Sequence, residues 1–248
     1  VSFDELAGLG VVLLSAILMA VFAVMHRRTP LTFRNIPAFA KLRRAIGLAV
    51  EDGTRLHFSL GRGSLITPFG AAALAGLSML RRVAELTSVS DRPPVATTGD
   101  SLLAVLAQDT LRAAYEASVV DGEFDPTTGR LAGVTPFSYA GGVIPVMRDE
   151  NVSANVLIGN FGIEAALLTD ASERSNAFTL AGSDNLPAQA VLFASTPDPL
   201  IGEEVYAAGA YVQAGPMHAA SLRVQDILRW LIILAILIGA ALKFMGIL

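Results

Sequence analysis

Two uninterrupted apolar runs bracket this chain, and the segment between them alternates. The first, Leu6 to Met25, reads LAGLGVVLLSAILMAVFAVM and carries no charge over 20 residues. As a helix it would be about 30 Å long, the thickness of a bilayer's hydrocarbon core. The second, Ile227 to Leu248, reads ILRWLIILAILIGAALKFMGIL. The pattern MHAASLRVQDILRW runs into it without a breaker, which predicts one helix from near Pro216 to Leu248, roughly 50 Å long. A signal peptide would place basic residues before a shorter apolar core. Here Asp4 and Glu5 precede the first run and His26, Arg27 and Arg28 follow it, so a retained anchor is the better reading.

Between the runs, periodicity switches repeatedly between strand and helix. Asn35 to Val50 predicts a helix, with Asn35 as cap and Pro37 in the first turn. Phe39, Leu42, Ile46 and Val50 share one face. That face could pack on a domain or lie on anionic lipid. Four times thereafter a short apolar run ends in glycine and small polar residues, and a helical pattern follows. The runs are Leu56–Leu60, Pro94–Thr98, Val152–Ile158 and Ala177–Leu180. The helices expected after the first three are Thr67–Thr87 (Thr67 as cap, Pro68 at its first position), Ser101–Ser118 and Ile163–Arg174; the fourth begins near Pro187. A further short strand is expected within Ala190–Ser195 and a last helix over Leu200–Tyr211. Asp121 to Gly133 is turn-rich and reads as an exposed loop or hairpin. The fold class expected is α/β: a mainly parallel sheet with flanking helices, between an N-terminal and a C-terminal transmembrane helix. The implied organisation is an anchor over 1–28, a basic juxtamembrane helix over 29–52, an α/β domain over 53–215, and a long helix over 216–248 ending in the second span.

Charge adds an orientation. Residues 26–44 hold six basic side chains and no acid, whereas residues 45–226 hold 20 acids against 10 arginines. Under the positive-inside rule the central domain is cytoplasmic, in a cell (inner) membrane, with both termini outside. Arg27, Arg28, Arg229, Trp230 and Lys243 would sit at the membrane interface and contact lipid, the long cations snorkelling to the headgroups. So acidic a body repels phosphate backbones, which argues against nucleic acid as a partner. Charged residues are few for a water-exposed surface, and Ala-rich and Gly-rich helices suit close packing. A homo-oligomer, or burial among the subunits of a membrane complex, would account for both, as would tight packing against the sheet.

The chemistry is sparse. With no cysteine, disulfides, thiolate catalysis and Cys-based metal sites are excluded. His26, His57 and His218 form no metal-binding spacing, and no cofactor or metal is implied. His57 lies in an apolar strand pattern and reads as a hydrogen-bonded core residue. Asp121, Glu123 and Asp125 alternate in a Gly-containing loop but fail the calcium-loop spacing. Ser183-Asp184-Asn185 matches one element of penicillin-binding enzymes whose partner motifs are absent. No catalytic residue is assigned. The candidate ligand-binding residues are those that a parallel sheet would gather at its carboxyl edge: Gly61, Arg62, Gly63 and Ser64; Thr97, Thr98, Gly99 and Asp100; Gly159 and Asn160; Ser183 and Asp184. Free amides, one arginine and helix N-termini there would favour an anion. The competing reading is structural, with glycines making tight turns and small polar residues capping helices.

Several stretches carry a resemblance. They are His57–Gly63 (HFSLGRG), Ser88–Asp100 (SVSDRPPVATTGD), Ala181–Ala190 (AGSDNLPAQA) and Gly215–Arg223 (GPMHAASLR). In these the chain resembles an uncharacterised family of bacterial membrane proteins defined by a domain of unknown function. The resemblance spans most of residues 50–245. It implies a membrane-tethered domain and supplies no catalytic residues. The sequence then supports a membrane-anchored scaffolding protein that self-assembles or joins a larger membrane complex. The alternative is a regulatory module holding a nucleotide or other anion at the Gly-rich strand ends. A membrane-tethered enzyme is a third reading, and no nucleophile–base pair supports it.

Overall fold

The computed structural model describes residues 3–28, 33–66, 70–87, 90, 92–118 and 124–246, with the side chains of 3, 4 and 26–28 excepted. The expected interface residues Arg27 and Arg28, the Thr67–Pro68 helix start, and Asp121 and Glu123 therefore lie outside the described side chains. The chain divides into two units, one of Val1–Phe33 with Gly215–Leu248, the other Arg34–Ala214.

The first unit contains helices α1 (Phe3–Arg28) and α9 (Pro216–Phe244), which pack against each other. Each contains an apolar stretch long enough to cross a membrane, over Glu5–Met25 and Pro216–Phe244. Only 6% of the first apolar window and none of the second is buried by protein, so neither is the core helix of a globular fold. Side chains such as Leu9, Ile17, Ile232 and Leu237 are left exposed, an arrangement that suits lipid as the surrounding medium. Helix α9 runs without a break from Pro216 to Phe244 and stops before the expected Leu248, with Gly246 at φ +72° just past its end. Arg229 pairs with Asp226 at 3.8 Å, Trp230 is exposed, and Lys243 lies in the last turn. Arg229 and Lys243 are about 21 Å apart along the axis, shorter than a hydrocarbon core of about 30 Å, so in a bilayer both must stretch outward.

The second unit is a five-stranded, wholly parallel sheet in the order β3-β2-β1-β4-β5. Its strands are β1 (Arg55–Gly61), β2 (Val95–Thr98), β3 (Gly129–Leu131), β4 (Val152–Asn160) and β5 (Phe178–Ser183). β1 and β4 are buried almost throughout, which is why they read as apolar runs and not as alternating patterns. Helices α2 (Pro37–Glu51), α3 (Gly70–Leu86), α4 (Ser101–Glu116) and α8 (Glu204–Tyr211) contribute to one core with Phe58, Leu60, Val156 and Ile158. Helices α5 (Pro136–Asp149), α6 (Ala165–Arg174) and α7 (Leu186–Ser195) contribute to a second core with Leu157, Phe161 and Ala181. The sheet is thus doubly wound. The chain leaves β1 toward β2 and β3, then crosses back by α5 to β4 on the other side of β1.

Several expectations are corrected here. Ala190–Ser195 is not a strand but the end of α7. Pro187 in the first turn favours a helix, and Ala188 and Leu192, four apart, enter the second core. Gly129–Leu131, at the end of the expected loop or hairpin, is a parallel edge strand on β2. The residue capping α2 is Ile36 rather than Asn35, while Pro37 does begin the helix. The apolar face of α2 packs in the first core through Phe39, Leu42 and Ile46, and Phe39 stacks on Tyr211 at 4.7 Å. Pairing of Lys41 with Asp198 (2.5 Å) and of Arg34 with Glu204 adds to that docking, so this face is not free to lie on lipid. Helix α5 has no counterpart among the expected elements.

Candidate site at the carboxyl edge of the sheet

In a parallel sheet every strand ends at the same edge, so the segments after β1, β2, β4 and β5 converge. Between β1 and β4 the connections depart in opposite directions, and in open α/β sheets this switch point is the usual ligand crevice. Most of the candidate residues meet there. Gly61 closes β1 at φ +73°, and a Cβ on it would lie 2.4 Å from the Asn160 carbonyl oxygen. Glycine is therefore required by both conformation and space. The next amide, Arg62 N–H, donates to that carbonyl at 2.8 Å.

Arg62 is the most constrained side chain of the edge. Its stem crosses Gly99, where a Cβ would come within 2.4 Å of the Arg62 Cγ. Its Nε donates to Oε1 of Glu164 at 2.9 Å. Glu164, just before α6, is 1% exposed, and the same Oε1 also accepts from the Gly162 amide at 2.9 Å. Its other oxygen is buried without a partner. Among the described residues the two terminal amino groups of Arg62 make no hydrogen bond, and its side chain is 23% exposed. A buried carboxylate thus aligns an arginine through Nε and leaves its terminal fork unused.

The other candidates are mostly engaged by the protein itself. Asp100 caps α4, its carboxylate accepting from the Leu103 amide at 2.9 Å. The Thr98 hydroxyl accepts from the Asp100 amide at 3.1 Å. Thr97 turns inward, its hydroxyl 2.8 Å from Nε2 of His57. Gly159 lies within β4, where a Cβ would meet the Leu60 carbonyl oxygen at 2.0 Å. Asn160 donates to Asp184 at 2.7 Å, and the Ser183 hydroxyl accepts from the Phe161 amide at 3.1 Å. Gly63 is buried and Ser64 half-buried beside Arg62. The glycines at this edge serve close backbone approach within the protein, and Asp100 occupies one amide, that of Leu103, that an anion could otherwise use.

Beneath the edge, on the α5 face, lies a buried polar network that the sequence did not reveal as a unit. The Tyr139 hydroxyl sits 2.6 Å from that of Ser59, accepts from the Gly61 amide at 3.3 Å and donates to the Thr97 carbonyl at 3.3 Å. His57 lies between Asn155 Oδ1 (2.7 Å) and Thr97, and Asn155 donates to the Met147 sulfur. Burial pushes the His57 imidazole down to about 4, with the Asn155 hydrogen bond opposing this, so the ring is neutral near pH 7. Sealed from solvent, this network holds β1, β2 and α5 in register behind Arg62. Among the described residues there is no cluster of three or more His, Cys, Asp or Glu that could hold a metal ion.

Two membrane-length helices flanking a doubly wound α/β unit define a membrane-anchored protein. The chain belongs to the family described as "Domain of unknown function (DUF6754)", which matches residues 4–248, nearly its whole length. No curated protein and no solved structure matches it.

Proposed function

We propose that this protein is a membrane-anchored binding module, holding a small anionic ligand at the carboxyl edge of its sheet. The observation that carries the reading is Arg62, aligned by buried Glu164 at the switch point, its terminal amino groups without a hydrogen bond among the described residues. The site residues are Arg62 with the neighbouring polar groups of Gly63, Ser64, Thr98, Asn160 and Asp184, while Gly61 and Gly99 shape the edge with their amides bonded within the protein. The central domain faces the cytoplasm and both termini lie outside, a reading supported by the basic flank of the first span. Binding is tested on the full chain in lipid nanodiscs, by thermal shift against a panel of small anions. A shift with at least one of them, lost in Arg62→Ala, is expected; no shift, or equal shifts in both proteins, refutes the site. For orientation, the chain's lack of cysteine makes Ser2→Cys and Ser118→Cys clean reporters, expected to label from opposite sides.

A second reading is favoured by a separate observation. Leu74, Val105 and Phe193 are exposed on the outer faces of α3, α4 and α7. These suit a scaffold that buries them against further copies or against the subunits of a membrane complex. Native mass measurement in mild detergent that finds only monomers would exclude self-assembly.

A further inference from the structure

Resting on that reading, we infer the ligand's class: an amphiphilic monoanion, a single carboxylate carrying an apolar body, and not a nucleotide or other polyphosphate. Three observations converge on this.

The first is the charge available. Arg62 is the one cation at this edge among the described residues named above, and it is accompanied by Asp100, Glu164 and Asp184. Glu164 already opposes its charge at 2.9 Å. A ligand bearing one negative charge can take the terminal fork of Arg62 in two parallel hydrogen bonds. Each further negative charge would add repulsion from Asp100 and Asp184, with no second cation among those residues to offset it.

The second is the backbone. Polyphosphate sites use a glycine-rich turn whose free amides, together with a helix N-terminus, surround the phosphates. Here three of the glycines are filled by the protein: Gly61 against Asn160, Gly99 against Arg62, and Gly162 against Glu164. At the N-terminus of α4 the Leu103 amide is taken by Asp100, and the Gly162 amide is taken by Glu164. Arg62 adds a donor of another kind, a side-chain fork.

The third is the surround. Exposed apolar side chains adjoin the residues that contact Arg62, alongside the exposed hydroxyls of Thr135 and Ser138. Ile163 (61% exposed) lies between Gly162 and Glu164. Val134 (67%) follows Gly133, whose carbonyl oxygen lies 2.8 Å from the Cβ position of Gly99, under the Arg62 stem. Phe137 (67%) adjoins Ser138, which packs on Gly133, and Ile66 (86%) lies four residues beyond Arg62. Single exposed apolar residues are ordinary on any surface. Four that lie near in sequence to Arg62, or to the residues packed on it and paired with it, supply an apolar component suited to a ligand with an acid head and a hydrocarbon body.

The test uses the full chain in nanodiscs of phosphatidylcholine, with four probes measured by titration calorimetry. Octanoate has both head and body, acetate only the head, octanol only the body, and ATP is the polyphosphate. Octanoate is expected to bind at least tenfold more tightly than acetate or ATP, and Arg62→Ala to abolish this while octanol uptake stays the same. Ile163→Ser, which leaves the Arg62–Glu164 pair untouched, is expected to weaken octanoate several-fold and acetate not at all. Arg62→Lys, which keeps the charge and loses the fork, is expected to weaken octanoate at least tenfold. Circular dichroism melts of each variant establish that it is folded. Arg62-dependent binding of ATP or acetate that equals or exceeds that of octanoate overturns the inferred class and leaves the anion site standing. Octanoate uptake that is the same in Arg62→Ala is partition into lipid, and with no Arg62-dependent binding of any probe it overturns both.

Discussion

His57 makes the stability of the α/β unit depend on pH in a way that can be worked out. The ring is fully buried in β1 between β2 and β4. Asn155 uses its amide nitrogen on the Met147 sulfur, so its oxygen faces His57 and accepts from Nδ1–H; Nε2 then accepts from the Thr97 hydroxyl. Burial lowers the imidazole from 6.5 to about 4. Because the folded value is depressed, the unfolded chain takes up the proton first as pH falls. The stability difference is present in full above pH 6.5 and is lost as pH falls toward 4. Between pH 7 and pH 4.5 the loss is about 2.5 kcal/mol, since at pH 4.5 the unfolded ring is about 99% protonated and the folded ring about a quarter. The assay is urea unfolding of the full chain in detergent at pH 7, 6, 5.5 and 4.5, followed by far-ultraviolet circular dichroism. Carboxylates titrate in the lower part of this range, so the measured quantity is the difference between wild type and His57→Gln, which cannot titrate. The wild type should lose about 2.5 kcal/mol more than the variant over the interval. Parallel pH profiles would refute the argument, and so would a His57 ring resonance that titrates near 6.5 in the native protein.

Other consequences follow from single contacts. Tyr139→Phe strips partners from the Ser59 hydroxyl and the Gly61 amide in a sealed interior, and should cost about 1–3 kcal/mol in a urea melt with the fold retained. Gly159→Ala drives a methyl group to 2.0 Å from the Leu60 carbonyl oxygen, between two central strands that cannot part; a loss of about 3 kcal/mol or more, read as rapid proteolysis of residues 34–214, is expected. Glu150 accepts from both Arg55 (2.5 Å) and Arg130 (2.9 Å) at partly buried positions, so Glu150→Gln should cost about 1–2 kcal/mol, and raising the salt concentration should narrow the gap from wild type.

How far the sequence discloses this molecule depends on whether the controlling interaction is local. The two spans are legible because lipid imposes a length and a composition on each of them alone. β1, β2, β4 and β5 are legible because strands buried on both faces are apolar and end in glycine or small polar residues. Strand order is not, because β1 against β4 is decided by helices packed on opposite faces of the sheet. Helix α5 was hidden for a different reason. Its sequence holds Gly141, Gly142 and Pro145, which read as breakers, yet Gly142 is where the helix passes over Ala132, whose carbonyl oxygen would lie 2.1 Å from a Cβ. Its N-terminal signal was present: Thr135 and Ser138 cap each other's amides, with Pro136 between them. Serine stands where a capping box usually has glutamate or glutamine, so the pattern passes unnoticed.

The same distinction governs the site. Arg62 stood out because it is the one cation in a Gly-rich strand end, a property of four consecutive residues. Glu164 did not, because an acid at the start of a helix is ordinary, and only the fold, across 102 positions, turns it inward onto Arg62. That pairing changes the chemistry read from the arginine. Alone, Gly61-Arg62-Gly63-Ser64 suggests a general anion site, with phosphate the first expectation. With Glu164 holding its Nε, the same arginine offers its terminal fork, the basis on which a single carboxylate is proposed over a polyphosphate. The residues that narrow a ligand class here are those that limit the arginine, and they lie far from it in sequence.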